Sequence, residues 1–463
     1  MVLDVGLVCP LDFRYGRPQV KALFDEEARL DYVLRVEAAL ARAHAKLGHI
    51  PKAAADEITK KATSKHVRVA RVKAIEAEIR HDLMAIVKAL EEACIGDAGG
   101  YVHLGATSYD AIDTAVALQL RAALDEVASS LGRLLEALVR LGLKHKSTVM
   151  LGRTHGQAAV PTTFGYKMIV FAAEVRRHLD RLAEQRPRIC AGKMSGAVGT
   201  GAGFGDDHEK VQALVMQDLG LEAEEAATQI VQRDRYVELV ALCANIATSM
   251  EKFATEIRNL QRTEIAEAAE AFDATKQVGS STMAQKQNPV LSEQVSGLAR
   301  LVRSGIHPAM DNAIQWHERD LANSSGERFL IPHTLILTDW CVAKMADVFE
   351  GLRVDAGRMR ANLEATGGLT MAESLLLTFA KKGVSRQEAH EHVRRLSMKA
   401  RDEKRSLREA ALSDGVLGKL VSKKEIEAAL DPESYVGSAP ARVERLAKSL
   451  KVKASGPTRP RTP

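Results

Sequence analysis

The 463-residue sequence predicts an all-α fold built around a bundle of long helices, and three observations carry that reading. Aromatic residues make up only 4% of the chain while alanine and leucine abound, a balance that favours helices over sheets. Apolar residues recur in steps of three and four through two long stretches, Ile112 to Leu141 and Tyr236 to Ile257. Proline and glycine cluster between such stretches, where they end helices rather than interrupt them.

Taken in order, residues 1–106 read as a first helical domain of shorter segments, broken at Gly99-Gly100. A central domain, 107–357, opens at Thr107-x-x-Asp110, which offers a helix cap. Its first stripe runs through Ala117, Leu120, Leu124, Val127, Leu131, Leu134, Leu138 and Leu141. The second runs through Tyr236, Val240, Cys243, Ala247, Met250, Ala254 and Ile257. Helices of this length reach roughly 40 to 60 Å at ~1.5 Å per residue. They cannot cover their own seams within a small globule, so the bundle is expected to pack against copies of itself. A third domain, 358–450, returns to shorter amphipathic helices, one opening with the capping-box pattern Ser385-x-x-Glu388. The tail from Lys451, KVKASGPTRPRTP, is rich in proline and basic residues and is expected to be disordered. No repeat of fixed period is present, which disfavours a solenoid.

The 65 basic and 60 acidic residues are mixed along the chain, so the net charge of +5 does not point to nucleic acid, though it suits small anionic substrates. The five cysteines are scattered without a C-x-x-C pair, as expected for a reducing compartment. The opening MVLDVGLVCP is too short an apolar run for a signal peptide, and no segment offers ~18 uncharged apolar residues, so a soluble, cytoplasmic protein is expected, with no membrane partner. His390 and His392 are two apart on a predicted helix and face different ways; no metal site emerges.

Four stretches break the helical pattern with dense polar residues and glycines: YVHLGATSYD, GRTHGQAAVPTTFG, GSSTMAQKQNPVLSE and WHERDLANSSGERFLIP. With FRYGRP, RHDLMAIV, GKMSGAVGT and TQIVQRDRY they stand in the order and approximate spacing of the adenylosuccinate lyases, within the fumarase and aspartase superfamily, and the resemblance runs to about residue 450. It implies a three-domain fold whose central bundle forms the core of a homotetramer with shared active sites. It also implies β-elimination of fumarate from adenylosuccinate and from succinylaminoimidazole carboxamide ribotide, nucleotide substrates handled without a cofactor.

Residue by residue, the resemblance makes Ser280 the catalytic base, assisted by Ser281. A serine hydroxyl is a poor base until charge and amide donors lower its pKa. The same resemblance sets Lys286 and Asn288 on the succinyl carboxylates, where removal of the Cβ proton builds negative charge. His155 matches the general acid, a task suited to an imidazole with an ordinary pKa of ~6.5, and Glu293 would orient it. His81 matches a second site histidine, adjoined by Asp82. Thr107 and Ser108 match a pair that holds a substrate carboxylate at a helix N-terminus, where unpaired N–H groups and the helix dipole favour an anion.

Arg319, Ser324 and Arg328 match phosphate ligands, Arg14 and Tyr15 match residues near the same group, and Gln229 matches a substrate amide contact. Arginine supplies the bidentate, permanently charged donors that phosphate favours. The glycine-rich segment 192–203 lies in no βαβ pattern and is not read as a dinucleotide site. Ala284, Gln285 and Gln287 depart from the family pattern and leave a catalytically inactive structural relative as a rival reading. Argininosuccinate lyase or fumarase is the rival among enzymes, disfavoured by the WHERD stretch.

Overall fold

The computed structural model describes residues 7–450 except residue 274, so the tail from Lys451 lies outside the described residues. Helices account for 67% of the chain. The principal ones are α1 (Glu26–Lys46), α2 (Asp82–Ala93), α3 (Ser108–Lys144), α4 (Phe164–Ile189), α5 (Asp234–Leu260), α6 (Val290–Ser304), α7 (Ala322–Glu350), α8 (Ala356–Glu364), α9 (Arg386–Asp402) and α10 (Ala439–Ser449). Both sequence stripes face inward: every residue of each, from Ala117 to Leu141 and from Tyr236 to Ile257, is buried. No helix among the described residues is long and apolar enough to cross a membrane.

Side-chain pairs set the helix directions. Arg233, just before α5, joins Asp113 of α3 and Glu327 of α7. Farther along, Ser130 donates to Asp339 at 2.8 Å, and Arg133 pairs with Asp347 and Glu350. Helices α3, α5 and α7 therefore run in parallel. α4 and α6 run the other way, because Arg186 meets Asp125 on α3 while Arg258 and Glu251 of α5 meet Ser296 and Arg303 of α6 respectively. Phe171 stacks on Phe253 with ring centroids 4.3 Å apart, and Phe349 packs edge-on against both. A second core joins α1 and α2 to the first turns of α3, and a third lies among residues 375–429. α10 then returns to the bundle, burying Val443 and Ala447 in its core.

Two local readings changed on folding. The GRTHGQAAVPTTFG stretch, irregular by its helical pattern, is an antiparallel hairpin of β1 (Val149–Thr154) and β2 (Gln157–Thr163). Its two-residue turn is His155-Gly156, both at positive φ (53° and 74°), the arrangement whose twist matches paired strands. A bulge follows at Gly152, where a Cβ would lie 2.4 Å from the Val160 carbonyl. At the head of α9 only half of the expected capping box forms: the Ser385 hydroxyl accepts from the Glu388 N–H, while the Glu388 carboxylate takes that hydroxyl in place of the Ser385 N–H. Two-residue strands β3 (Ala191–Gly192) and β4 (Glu222–Ala223) pair in parallel, and β5 (Ala268–Ala269) and β6 (Arg353–Val354) pair antiparallel.

Removing one partner of a buried ion pair leaves an uncompensated charge and costs about 3–5 kcal/mol. Arg233 and Asp113 are each 1% exposed in their side chains, so Asp113→Ala should lower the denaturation midpoint sharply. Breaking the exposed Arg71–Glu92 pair should hardly move it. Equal shifts in the two variants would contradict this account.

Candidate active site

At the N-terminal end of α3, the Thr107 N–H donates to Asp110 at 2.8 Å, closing the cap expected from the sequence. Asp110 is fully buried and also takes Lys193 Nζ at 2.5 Å and the amides of Ser195 (2.9 Å) and Gly196 (3.1 Å). One carboxylate thus stitches the GKMSGAVGT segment to the helix start that carries Thr107 and Ser108. Beside them Tyr109 and Ser324 share a hydrogen bond of 3.0 Å. The Arg319 guanidinium lies 3.5 Å over the Tyr109 ring and donates from Nη1 to Gln229 at 2.7 Å. Its Nε and Nη2 are buried with no hydrogen-bond partner among the described residues. A buried, unpaired cationic donor is costly, and an anion placed against it would relieve that cost.

His81 and Asp82 adjoin this cluster. His81 is the N-cap of α2, and its Nδ1 accepts the Met84 N–H at 3.3 Å, which leaves Nε2 as the outward-facing nitrogen. Asp82 takes Arg328 at 2.6 Å and Arg29 at 3.1 Å. Burial pushes its carboxyl up, but the two guanidiniums and the Leu83 N–H outweigh that and hold it below the ordinary range.

The remaining candidates stand elsewhere. His155 is exposed at the tip of the β1–β2 hairpin. In the loop 279–289, Ser280 Oγ accepts the N–H groups of Thr282 (3.2 Å) and Met283 (3.0 Å). Both donors favour the ionised oxygen, the form a serine base needs. Asn288 Nδ2 donates to the Gly279 carbonyl at 3.0 Å, closing the loop on itself. Gly279 is required there, since a Cβ would lie 1.8 Å from the Lys286 carbonyl. Ser281 and Lys286 are exposed on this loop, and Lys286 makes no ion pair among the described residues. Gln287 receives Arg353 on its side chain at 2.7 Å and Gln261 on its carbonyl at 3.0 Å, so the departure there has partners of its own. Glu293 is exposed on the first turn of α6, and among the described residues no hydrogen bond joins it to His155. Arg14 and Tyr15 touch each other, and Tyr15 packs edge-on to Trp340, roughly 24 Å along α7 from Ser324 at ~1.5 Å per residue.

One chain therefore divides these residues between the two ends of its bundle. His81, Asp82, Thr107, Ser108, Gln229, Arg319, Ser324 and Arg328 gather where α3, α5 and α7 begin. The hairpin follows the far end of α3, about 54 Å away, and the Ser280 loop follows the far end of α5, about 39 Å away, at ~1.5 Å per residue.

Sequence reasoning passed over several groups at the first end. Tyr109 lies inside a motif it quoted, and Lys193 is the one charge in a glycine-rich apolar run. Four residues before Thr107, His103, whose side chain is 10% exposed, pairs with buried Glu37 at 2.7 Å. Arg29 has no local signal, because it meets Asp82 only through the path of the chain.

The low Asp82 pKa has a sign that can be tested. A depressed carboxyl contributes stability above its unfolded pKa of ~3.9, and that contribution is lost as pH falls through the lower folded value. The difference in thermal midpoint between the natural protein and Arg328→Ala should be constant above about pH 5 and shrink below about pH 4. A difference that grows on acidification would rule this out.

Two sequence families match the chain. The one described as "Lyase" covers residues 12–304, and the one described as "Adenylosuccinate lyase C-terminus" covers residues 368–446. An adenylosuccinate lyase of Pyrococcus horikoshii is 49% identical over 93% of this chain and 95% of its own length. That of Methanocaldococcus jannaschii is 45% identical over 96% of each. Among solved structures, the 3-carboxy-cis,cis-muconate lactonizing enzyme of Pseudomonas putida superposes with a TM-score of 0.87 at 32% identity, covering 95% of this chain and 98% of that one. A fumarate lyase of Mesorhizobium sp. BNC1 gives 0.86 at 31% identity, covering 94% and 98%. With such identity sustained along almost its whole length, the chain belongs to the adenylosuccinate lyase family.

Proposed function

We propose that the chain is a carbon–nitrogen lyase that eliminates fumarate from adenylosuccinate, leaving AMP, and from succinylaminoimidazole carboxamide ribotide, leaving AICAR, in purine biosynthesis. The observation that carries a nucleotide substrate is Arg319: stacked on Tyr109, bonded to Gln229, and with two buried guanidinium donors unspent beside Ser324. A phosphate would accept both, and Arg328 lies one helical turn from Ser324 to add a second charge.

In this reading Ser280 Oγ takes the Cβ proton, the pair of the broken Cβ–H bond forms the Cα–Cβ double bond, and the Cα–N bond breaks with its pair on nitrogen. His155 protonates the departing nitrogen, oriented by Glu293, with His81 as the second site histidine. Lys286 and Asn288 stabilise the aci-carboxylate; losing one such contact typically costs ~3 to 4 kcal/mol of barrier. Thr107 and Ser108 hold the other carboxylate, and Arg14 and Tyr15, which stand beside Trp340 within one chain, complete the nucleotide side from another copy. These side chains supply the acid, the base and the charge, so no cofactor enters the scheme.

The separation of the two ends supports a homotetramer. A copy running antiparallel brings its loop and hairpin to the other's Arg319 end, and Leu301, Trp316, Leu321 and Phe329 leave apolar surface for such contacts. We place the enzyme in the cytoplasm, where its nucleotide substrates are.

Ser280→Ala and His155→Ala should each lower kcat by at least ~10² while remaining tetrameric by sedimentation. Mixing Ser280→Ala with His81→Ala should restore part of the activity, since these residues stand at opposite ends of one chain and meet only between copies. Near-normal turnover in either variant alone would end its assignment. Arg319→Ala should weaken binding of adenylosuccinate far more than that of succinyladenosine, which lacks the phosphate; equal weakening would remove the phosphate role.

A further inference from the structure

We infer that Arg153 and Glu267 are positioning residues that set where the His155 hairpin tip delivers its proton. The inference rests on the reading of His155 as the acid. A two-stranded hairpin is marginal by itself, and this one is weakened further by the bulge at Gly152. Met150, Leu151 and Thr163 bury the base of the hairpin, so the placing of its exposed tip depends on what holds Arg153 beyond them.

That anchor is a directed one. Arg153, two residues before His155, reaches Glu267 with both ends of its guanidinium, at 2.9 and 2.7 Å. Glu267 is fully buried, and Asn362 of α8 donates to the same carboxylate at 2.9 Å. Its backbone is tied on both sides, the N–H to the Leu260 carbonyl and the carbonyl to the Asp355 N–H, each at 3.0 Å. A fork on a fixed carboxylate sets direction as well as distance, which a single lysine charge does not.

The same segment also holds the base. Three residues on, the Glu270 carboxylate accepts the Leu291 and Ser292 N–H groups at the head of α6, at 3.2 and 2.7 Å, and so closes the two ends of the Ser280 loop. Residues 267–270 are thus a common footing for both arms of the reaction. A stability role alone needs no such polarity, because a buried ion pair is commonly matched by apolar residues of similar volume.

The test uses the intact enzyme carrying Arg153→Lys or Glu267→Gln, with His155→Ala and Ser280→Ala as references. Each is assayed with adenylosuccinate and with its 2-fluoro derivative, whose less basic leaving amine needs less protonation. Arg153→Lys and Glu267→Gln should lower kcat for adenylosuccinate about tenfold or more with KM changed less than about twofold, since a misplacement near 1 Å already costs up to ~10². The loss should be smaller with the 2-fluoro substrate in both, as in His155→Ala, but not in Ser280→Ala. If His155→Ala is inactive while both anchor variants turn over normally, the anchor role is wrong and the acid assignment stands. If His155→Ala is itself normal, the acid assignment fails first. A loss equal for both substrates, or one that only tracks the folded fraction measured by circular dichroism, would make the pair a stability feature and overturn the inference.

Discussion

The buried meeting of Arg233 with Asp113 and Glu327 is the constraint on which the architecture turns. It joins three long helices near their N-terminal ends, and parallel helices joined there bring three positive dipole ends together. Asp113 and Glu327, on the second turns of α3 and α7, offset that accumulation, and Arg233 keeps those carboxylates from facing one another unpaired. Burial still pushes the Glu327 carboxyl above its ordinary range despite the guanidinium against it. The same Asp113 accepts the Val231 N–H at 2.8 Å, which fixes the loop carrying Gln229. An end rich in helix N-termini and arginine is thereby held ready for an anion.

A pair of this kind specifies a register more than it adds net stability. The stabilising area lies elsewhere, in the continuous apolar seam from Leu120 to Leu141 and in the aromatic contact of Phe171, Phe253 and Phe349. The seam alone would tolerate sliding by one turn, because apolar contact is non-directional. The charged contacts along the helices, Asp113, Ser130 and Arg133 each with its own partner, would not. Register in turn decides whether Tyr109 meets Ser324 and lies beneath Arg319.

The far end of the bundle follows a different logic. There the arms proposed to carry the acid and the base stand out from the core: a hairpin with an exposed tip and a loop whose serine is held by its own backbone amides. Arms that close on a substrate need few packing contacts of their own and a rigid base beneath them. Glu267 and Glu270, both buried, are that base. On the proposed reading, this separation between a prepaired arginine end and a projecting far end calls for a second copy to complete the site.

Much of this was legible in the amino-acid sequence, for a physical reason: helix faces and caps are decided by residues three and four apart. The stripes on α3 and α5, the Thr107–Asp110 cap and the order of the polar motifs all belong to that local level, and all are met in the structure. The family resemblance, carried by motifs quoted from the chain, was likewise available without coordinates. Tertiary structure alone decided which charges meet. Arg29 and Arg328 reach Asp82 from 53 and 246 positions away, and Lys193 reaches Asp110 from 83. It also decided that His155 and Ser280 stand at the opposite end of the bundle from Arg319, since no periodicity records the path a chain takes between its helices.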